Sequence, residues 1–190
     1  MIWCRYQFEG KVSYGIVEGD RVTEVSGSPF DEYTATGVSY PLDQVKLLAP
    51  VRPPMLYAAG PNYRGHVEGM AQRRGSEPRY PTRPDPNYRS VNAIIATEEN
   101  IVIPKDSPGA VQPEGQLAVV MGKKARHVSR PEALDYVFGY TIGNDISQRD
   151  WQGADRTMFR GKNCDTFKPL GPWIVTGLDP KGFHITVRHN

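Results

Sequence analysis

Residues 113–148, PEGQLAVVMGKKARHVSRPEALDYVFGYTIGNDISQ, hold two apolar runs that begin or end at polar side chains. Leu117–Met121 reads as a strand, and GKKARH at 122–127 is the polar turn that leaves it. Pro131–Tyr136 suits a short helix, with Ser129 or Arg130 ahead of it. Val137–Ile146 is a longer β-rich segment ending in polar residues. Glu114 and Gln116 stand just before the first run, two residues apart. In a strand such residues share a face, so two oxygen-bearing side chains project together. Asp145 follows the apolar part of the second run and can complete the set from a neighbouring strand end. Three oxygen donors on strand ends suit a hard divalent cation, Mg²⁺ first, with Mn²⁺ and Ca²⁺ accepting the same donors. A Glu-x-Gln standing alone reads first as a solvated strand face.

Outward from this stretch the pattern stays β-rich. Ile2, Cys4, Tyr6 and Phe8 alternate with Trp3, Arg5 and Gln7. Val12, Tyr14 and Ile16 alternate again after Gly10, and Gly19-Asp20 turns the chain before Val22 and Val25. That is a meander of hairpins, a small β unit over residues 1–50. The three prolines of LLAPVRPP, residues 47–54, read as a linker to a larger region, 51–190. There, Met55–Ala59 is a short strand that Gly60-Pro61 breaks, and residues 62–74 suit a short helix with Asn62 as its cap. Prolines 78, 81, 84 and 86 forbid regular structure in GSEPRYPTRPDPNYRS, residues 75–90, which reads as a loop or mobile flap. Ala93–Ala96, Ile101–Ile103, Ile174–Thr176 and His184–Arg188 are further strands. The expected class is a mixed, β-rich α+β fold.

Composition narrows the function. A chain of 190 residues is about one domain with a small appendage. Gly 19 and Pro 17 are in excess and favour turns and short strands. Apolar runs reach about five residues against the ~20 of a spanning helix, so no membrane segment is expected. The net charge of +2 gives no polyanion-binding field. Arg73, Arg74, Arg79, Arg83 and Arg89 near Tyr80 and Tyr88 resemble a single-stranded nucleic-acid surface in composition. At this net charge they read instead as a solvated flap over a site for anionic substrates. Cys4 and Cys164 form neither a CxxC pair nor a zinc cluster, and read as reduced thiols of a cytoplasmic protein. Cys164 lacks a histidine partner and reads as packing. His127, His184 and His189 are not spaced as ligands.

Four segments occur in order: YAAGPNYRGH at 57–66, PEGQLAVVMGKKAR at 113–126, GYTIGNDISQRDWQ at 139–152 and RGKNCDTFKPLGPW at 160–173. Together they resemble the fumarylacetoacetate hydrolase superfamily, from about residue 45 to the last, within its isomerase and acylpyruvase-like branch. The resemblance implies a barrel-like β-fold behind a small N-terminal β unit, a divalent metal, usually Mg²⁺, and a homodimer. It implies chemistry on small anionic 2-oxo acids and 1,3-dicarbonyl compounds. By resemblance Glu114, Gln116 and Asp145 hold the metal. Arg149 and Gln152 border the substrate, Lys162 faces it, His66 acts on water or substrate, and Tyr63 lies beside His66. A chelating metal would stabilise the enolate left when a C–C bond breaks, and His66 suits general-base work.

Three features depart from that pattern. Gln116 replaces the second glutamate of the metal motif, so the ligand charge falls by one and affinity should drop at least about tenfold. The glutamate expected three residues after His66 stands two after it, at Glu68, where a regular helix would not face it to the histidine. The chain stops at Asn190, where relatives continue, so the C-terminal part of the fold reads as incomplete. The expected activity is metal-dependent hydrolysis of a C–C bond in an acylpyruvate-like acid. A decarboxylase, isomerase or cyclase on the same fold is the alternative, and a non-catalytic relative is the third.

Overall fold

The computed structural model describes residues 1–188, so His189 lies outside the described residues. The chain divides into two compact units, one made of Met1–Arg52 with the residues from Asn92 onward, the other of Pro53–Val91.

In the first unit the meander is realised as β1 (Ile2–Phe8), β2 (Lys11–Glu18), β3 (Arg21–Gly27), β4 (Tyr33–Pro41) and β5 (Lys46–Leu48). The first four pair antiparallel in succession, β1 with β2, β2 with β3 and β3 with β4, with Gly10 and Gly19 at the first two turns. Strand β1 buries apolar side chains on both faces, because both are covered. Cys4 and Tyr6 pack with Val17 and Val22, while Trp3 packs with Val25, Val120 and Ile174. Trp3 is thus the joint between the N-terminal strands and the later ones.

The second unit holds β6 (Leu56–Ala59), α1 (Arg64–Arg74) and β7 (Pro86–Arg89). Helix α1 has no apolar stripe; Val67 and Ala71 are the residues it buries. Gly75 ends it in the left-handed region at φ 61, where a side chain is disfavoured. Two expectations are corrected here. Asn62 does not cap the helix: Tyr63 stands at that position, and the Asn62 Oδ1 accepts instead from the Asp85 N–H at 3.2 Å. Nor is 75–90 wholly irregular. Residues 86–89 pair antiparallel with β6, and Pro86 sits at the strand's first position, where no ladder N–H is lost.

The chain then returns to the first unit as β8 (Ile94–Ile95), β9 (Val111–Gln112), β10 (Gly115–Met121), β11 (Val137–Asn144), β12 (Ser147–Gln148), α2 (Arg149–Ala154), α3 (Phe159–Asn163) and β13 (Lys168–Val175). The main sheet runs β10-β11-β13-β1-β2-β3-β4, with β5 added on β1 and β8 parallel to β13. The fold is β-rich α+β, as expected, but the sheet is open. No ladder joins β10 to β4 among the described residues, so the barrel-like closure is not present there. Residues 101–103 and 184–188 form no strand; their apolar side chains are exposed and no neighbouring strand pairs with them. The expected helix at 131–136 is one 3₁₀ turn, Ala133–Tyr136.

Candidate active site

Backbone register builds the centre. In the β10–β11 ladder Gly115 pairs with Asn144 and Gln116 with Gly143. One step further the Asp145 N–H donates to the Glu114 carbonyl at 2.9 Å, and the Glu114 N–H donates to Asn144 Oδ1 at 2.9 Å. Glu114 and Asp145 are therefore cross-strand neighbours whose side chains leave the same face. Gln116, Ala118 and Val120 follow along that face, and Val120 belongs to the core beside Trp3. A single sheet face thus runs from the apolar core to an acidic pair.

Helices α2 and α3 bring the cations. Gln148 caps α2, its Oε1 accepting from the Trp151 N–H at 2.7 Å. Arg149 and Gln152 then share a helix face at i and i+3. Arg149 Nη1 donates to Gln152 Oε1 at 2.7 Å and to Glu114 Oε1 at 2.6 Å, and its Nε donates to Gln112 Oε1 at 2.7 Å. Helix α3 approaches α2 so closely that a Cβ on Gly161 would lie 2.5 Å from the Gln152 nitrogen. Only glycine fits, and the next residue is delivered into the centre. Lys162 Nζ donates to Glu114 Oε2 at 2.9 Å, Asp145 Oδ2 at 3.1 Å and Ser147 Oγ at 2.6 Å. Lys162 and Asp145 are each 4% exposed.

A second buried lysine completes the set. Lys168 Nζ lies 2.8 Å from Asp145 Oδ1. The sequence reading does not single out Lys168. Its signal is a lysine heading the otherwise apolar strand KPLGPWIV, between the buried Phe167 and Leu170. Burial pushes the Glu114 carboxyl up, but the hydrogen bonds and charges of Lys162 and then Arg149 outweigh it, so the group sits below the ordinary carboxylate range. Burial raises the Cys164 thiol, which donates to the Arg160 carbonyl at 3.3 Å. A thiol held protonated is packing rather than a nucleophile.

Glu114, Gln116, Asp145, Arg149, Gln152 and Lys162 all belong to the first unit, and all but Gln116 are joined by the contacts above. Tyr63, His66 and Glu68 belong to the Pro53–Val91 unit. All three are exposed. Helix α1 is regular through His66 and Glu68, so the glutamate is turned away from the histidine. Its Oε1 accepts from the Tyr80 hydroxyl at 2.8 Å, and the Arg64 guanidinium lies 5.3 Å from that ring's centre.

Known proteins resemble this chain over most of its length. A family model described as fumarylacetoacetate (FAA) hydrolase C-terminal matches residues 55–190, and one described as Rv2993c-like, N-terminal matches residues 1–50. Protein Rv2993c of Mycobacterium tuberculosis is 40% identical over 157 residues, 83% of this chain and 57% of that protein. Oxaloacetate tautomerase YisK of Bacillus subtilis is 36% identical over 169 residues, 84% of this chain and 54% of that protein. A solved structure of 5-carboxymethyl-2-hydroxymuconate delta-isomerase from Mycobacterium smegmatis matches with a TM-score of 0.83 and 38% identity, over 95% of this chain and 68% of that one. The chain spans little more than half the length of these two curated relatives.

Proposed function

Because the chain belongs to the fumarylacetoacetate hydrolase family, we propose that its carboxylate–lysine centre enolises a small anionic 2-oxo acid, as an isomerase or tautomerase. The observation that carries this reading is Lys162, a buried ammonium held between Glu114 and Asp145 at 2.9 and 3.1 Å. Keto–enol exchange removes a proton from the carbon beside a carbonyl and places one on the oxygen. A buried amine between two carboxylates can hold or move such a proton once substrate displaces one of its three partners. The names of the tautomerase and isomerase relatives favour the same chemistry.

The donor set fits a hard divalent ion. Two carboxylates on neighbouring strands already converge on one positive group, and Gln116 follows Glu114 on the same face. No group of three His, Cys, Asp or Glu side chains suited to a metal is present among the described residues, so the Gln116 amide oxygen would be the third donor. A divalent ion bound there, Mg²⁺ in our reading, supplies Lewis-acid stabilisation of charge developing on a carbonyl oxygen. Arg149 presents a guanidinium fork that suits the substrate carboxylate, and Gln152 orients it. Lys162, Lys168 and Arg149 outnumber the two carboxylates, so a divalent ion suits the centre together with an anionic ligand rather than alone. His66 with Tyr63 is a further proton carrier in this reading. We place the enzyme in the cytoplasm as a homodimer. Two free cysteines suit that compartment, and no helix among the described residues is long and apolar enough to cross a membrane.

Hydrolytic C–C cleavage is the second reading, favoured by the family description. It asks for a base that activates water, and Glu68 is turned away from His66. The test is oxaloacetate in deuterated and in ¹⁸O-labelled water. Catalysed keto–enol exchange at C3, with no ¹⁸O-labelled acid fragment released, is expected. Acylpyruvate cleavage with ¹⁸O incorporated into the released acid, and no catalysed exchange, would overturn the tautomerase reading.

A further inference from the structure

Asp145 is held at both oxygens, and by two different kinds of lysine. Lys162 bonds Asp145 Oδ2 and also Glu114 and Ser147. It occupies the position on which the two carboxylates converge. It rides on α3, a helix of five residues, Phe159–Asn163. Lys168 meets the other oxygen, Oδ1, at 2.8 Å. Its Nζ also donates to the Phe167 carbonyl at 2.8 Å and the Ile146 carbonyl at 3.3 Å. Its backbone opens β13, pairing at that residue with Ile94 of β8, and the residue is 4% exposed. Strand β13 itself lies inside the main sheet, between β11 and β1. A cation entering between Glu114 and Asp145 meets the Lys162 ammonium in that same position. Lys168 stands outside that position, on the far oxygen of Asp145, with its backbone held in the sheet.

We propose that Lys168 is a fixed internal cation that keeps this centre's affinity for a divalent ion low until an anionic ligand arrives. This rests on the divalent-ion reading given above. Two physical effects follow from the position of Lys168. It engages Asp145 Oδ1, which leaves Oδ2 as the oxygen Asp145 offers. It also sets a full positive charge beside the incoming one, in a site whose third oxygen donor, Gln116, is neutral. A 2-oxo acid brings a negative charge that offsets both. Ion and substrate therefore bind with positive coupling, each raising the affinity of the other. Lys168 is a positioning residue in this scheme and does not touch the substrate.

The test is calorimetric titration of Mg²⁺ into the whole chain, with and without oxalate as the anionic probe. Wild type, Lys168→Met and Gln116→Glu are compared. Wild type is expected to bind Mg²⁺ weakly alone and at least tenfold more tightly with oxalate. Lys168→Met is expected to bind Mg²⁺ alone at least tenfold more tightly than wild type, with a smaller gain from oxalate. Gln116→Glu should shift the same way. Lys168→Gln keeps a donor for the two carbonyls and serves if the methionine variant fails to fold. Lys168→Arg keeps the charge and should stay near wild type. If wild type binds Mg²⁺ and neither neutral variant binds it more tightly, the role of Lys168 is overturned and the metal reading stands. If no variant, Gln116→Glu included, binds Mg²⁺ with or without oxalate, the metal reading falls and this inference with it.

Discussion

Lys162 and His66 are both singled out for proton chemistry, and the fold treats them in opposite ways. Lys162 is 4% exposed and has three hydrogen-bond acceptors, two of them charged. Its position follows from a sheet register, a capped helix and a glycine that admits no side chain. His66 is exposed on a helix that buries Val67 and Ala71 and little else. The difference lies in what supports each. A side chain whose backbone is fixed by long-range pairing is held ready before substrate arrives. One on the polar face of a weakly anchored helix is held by what it later meets. The first unit thus holds a preorganised charged network, and the second presents His66 to solvent.

The largest effect should come from Lys162→Met. It leaves Glu114 with Arg149 and leaves Asp145, nearly fully buried, with one cation fewer. Breaking a buried ion pair from one side costs about 3–5 kcal/mol. Urea unfolding should show that loss, and keto–enol turnover should fall by about a hundredfold or more. His66→Ala is the matched substitution in the other region and should move stability by less than about 0.5 kcal/mol. Similar losses at the two positions would erase the distinction drawn here.

Gly161→Ala probes the same region without touching a charge. The added Cβ would sit 2.5 Å from the Gln152 nitrogen, so α3 must move away from α2. Overpacking of this kind costs about 1–3 kcal/mol. The expected signature is a fall in kcat larger than the change in KM, because Lys162 shifts while Arg149 stays on α2. A variant with unchanged kcat would show that Lys162 tolerates displacement.

Acid should weaken the first region through Glu114. The Glu114 carboxyl lies lower in the folded protein than in the unfolded chain, because the Lys162 and Arg149 bonds outweigh its burial. Its stabilising contribution is therefore complete above the unfolded value, ~4.3, and is lost as pH falls through the folded one. Unfolding free energy measured between pH 6 and pH 3 should decline, and Glu114→Gln should flatten that decline. An unchanged slope in the variant would mean that other carboxylates set the acid limit.

The same contrast explains what the sequence makes legible. Alternation shows β1 to β3, because hairpin partners are close in sequence and turn residues mark their ends. Glu114, Asp145, Arg149 and Lys162 stand in motifs that resemble a known family, and one network joins them. Lys168 escapes because its one local mark, a lysine heading an apolar strand, is shared by lysines that stay solvated. Its role appears only when β13 is laid beside the Asp145 corner. Strand β7 escapes because its partner β6 lies some thirty residues away and four prolines mask the pairing. Asn62 shows the reverse error. A good capping residue was available, but the Asp85 N–H recruited its oxygen from across a loop.

The smallest expected effect lies in the second region, at Tyr80. The Glu68 carboxylate accepts from its hydroxyl and repels the phenolate, which raises the phenol above its ordinary value, while the Arg64 guanidinium opposes this. Glu68→Gln removes the charge and weakens the acceptor, so Tyr80 should titrate at lower pH than in wild type. Tyrosine ring carbon shifts followed through alkaline pH would report this, with urea stability unchanged. A Tyr80 titration that does not move would mean that Glu68 is not tied to the tyrosine in solution. The helix would still turn the glutamate away from His66, so the hydrolytic reading would gain nothing from that result.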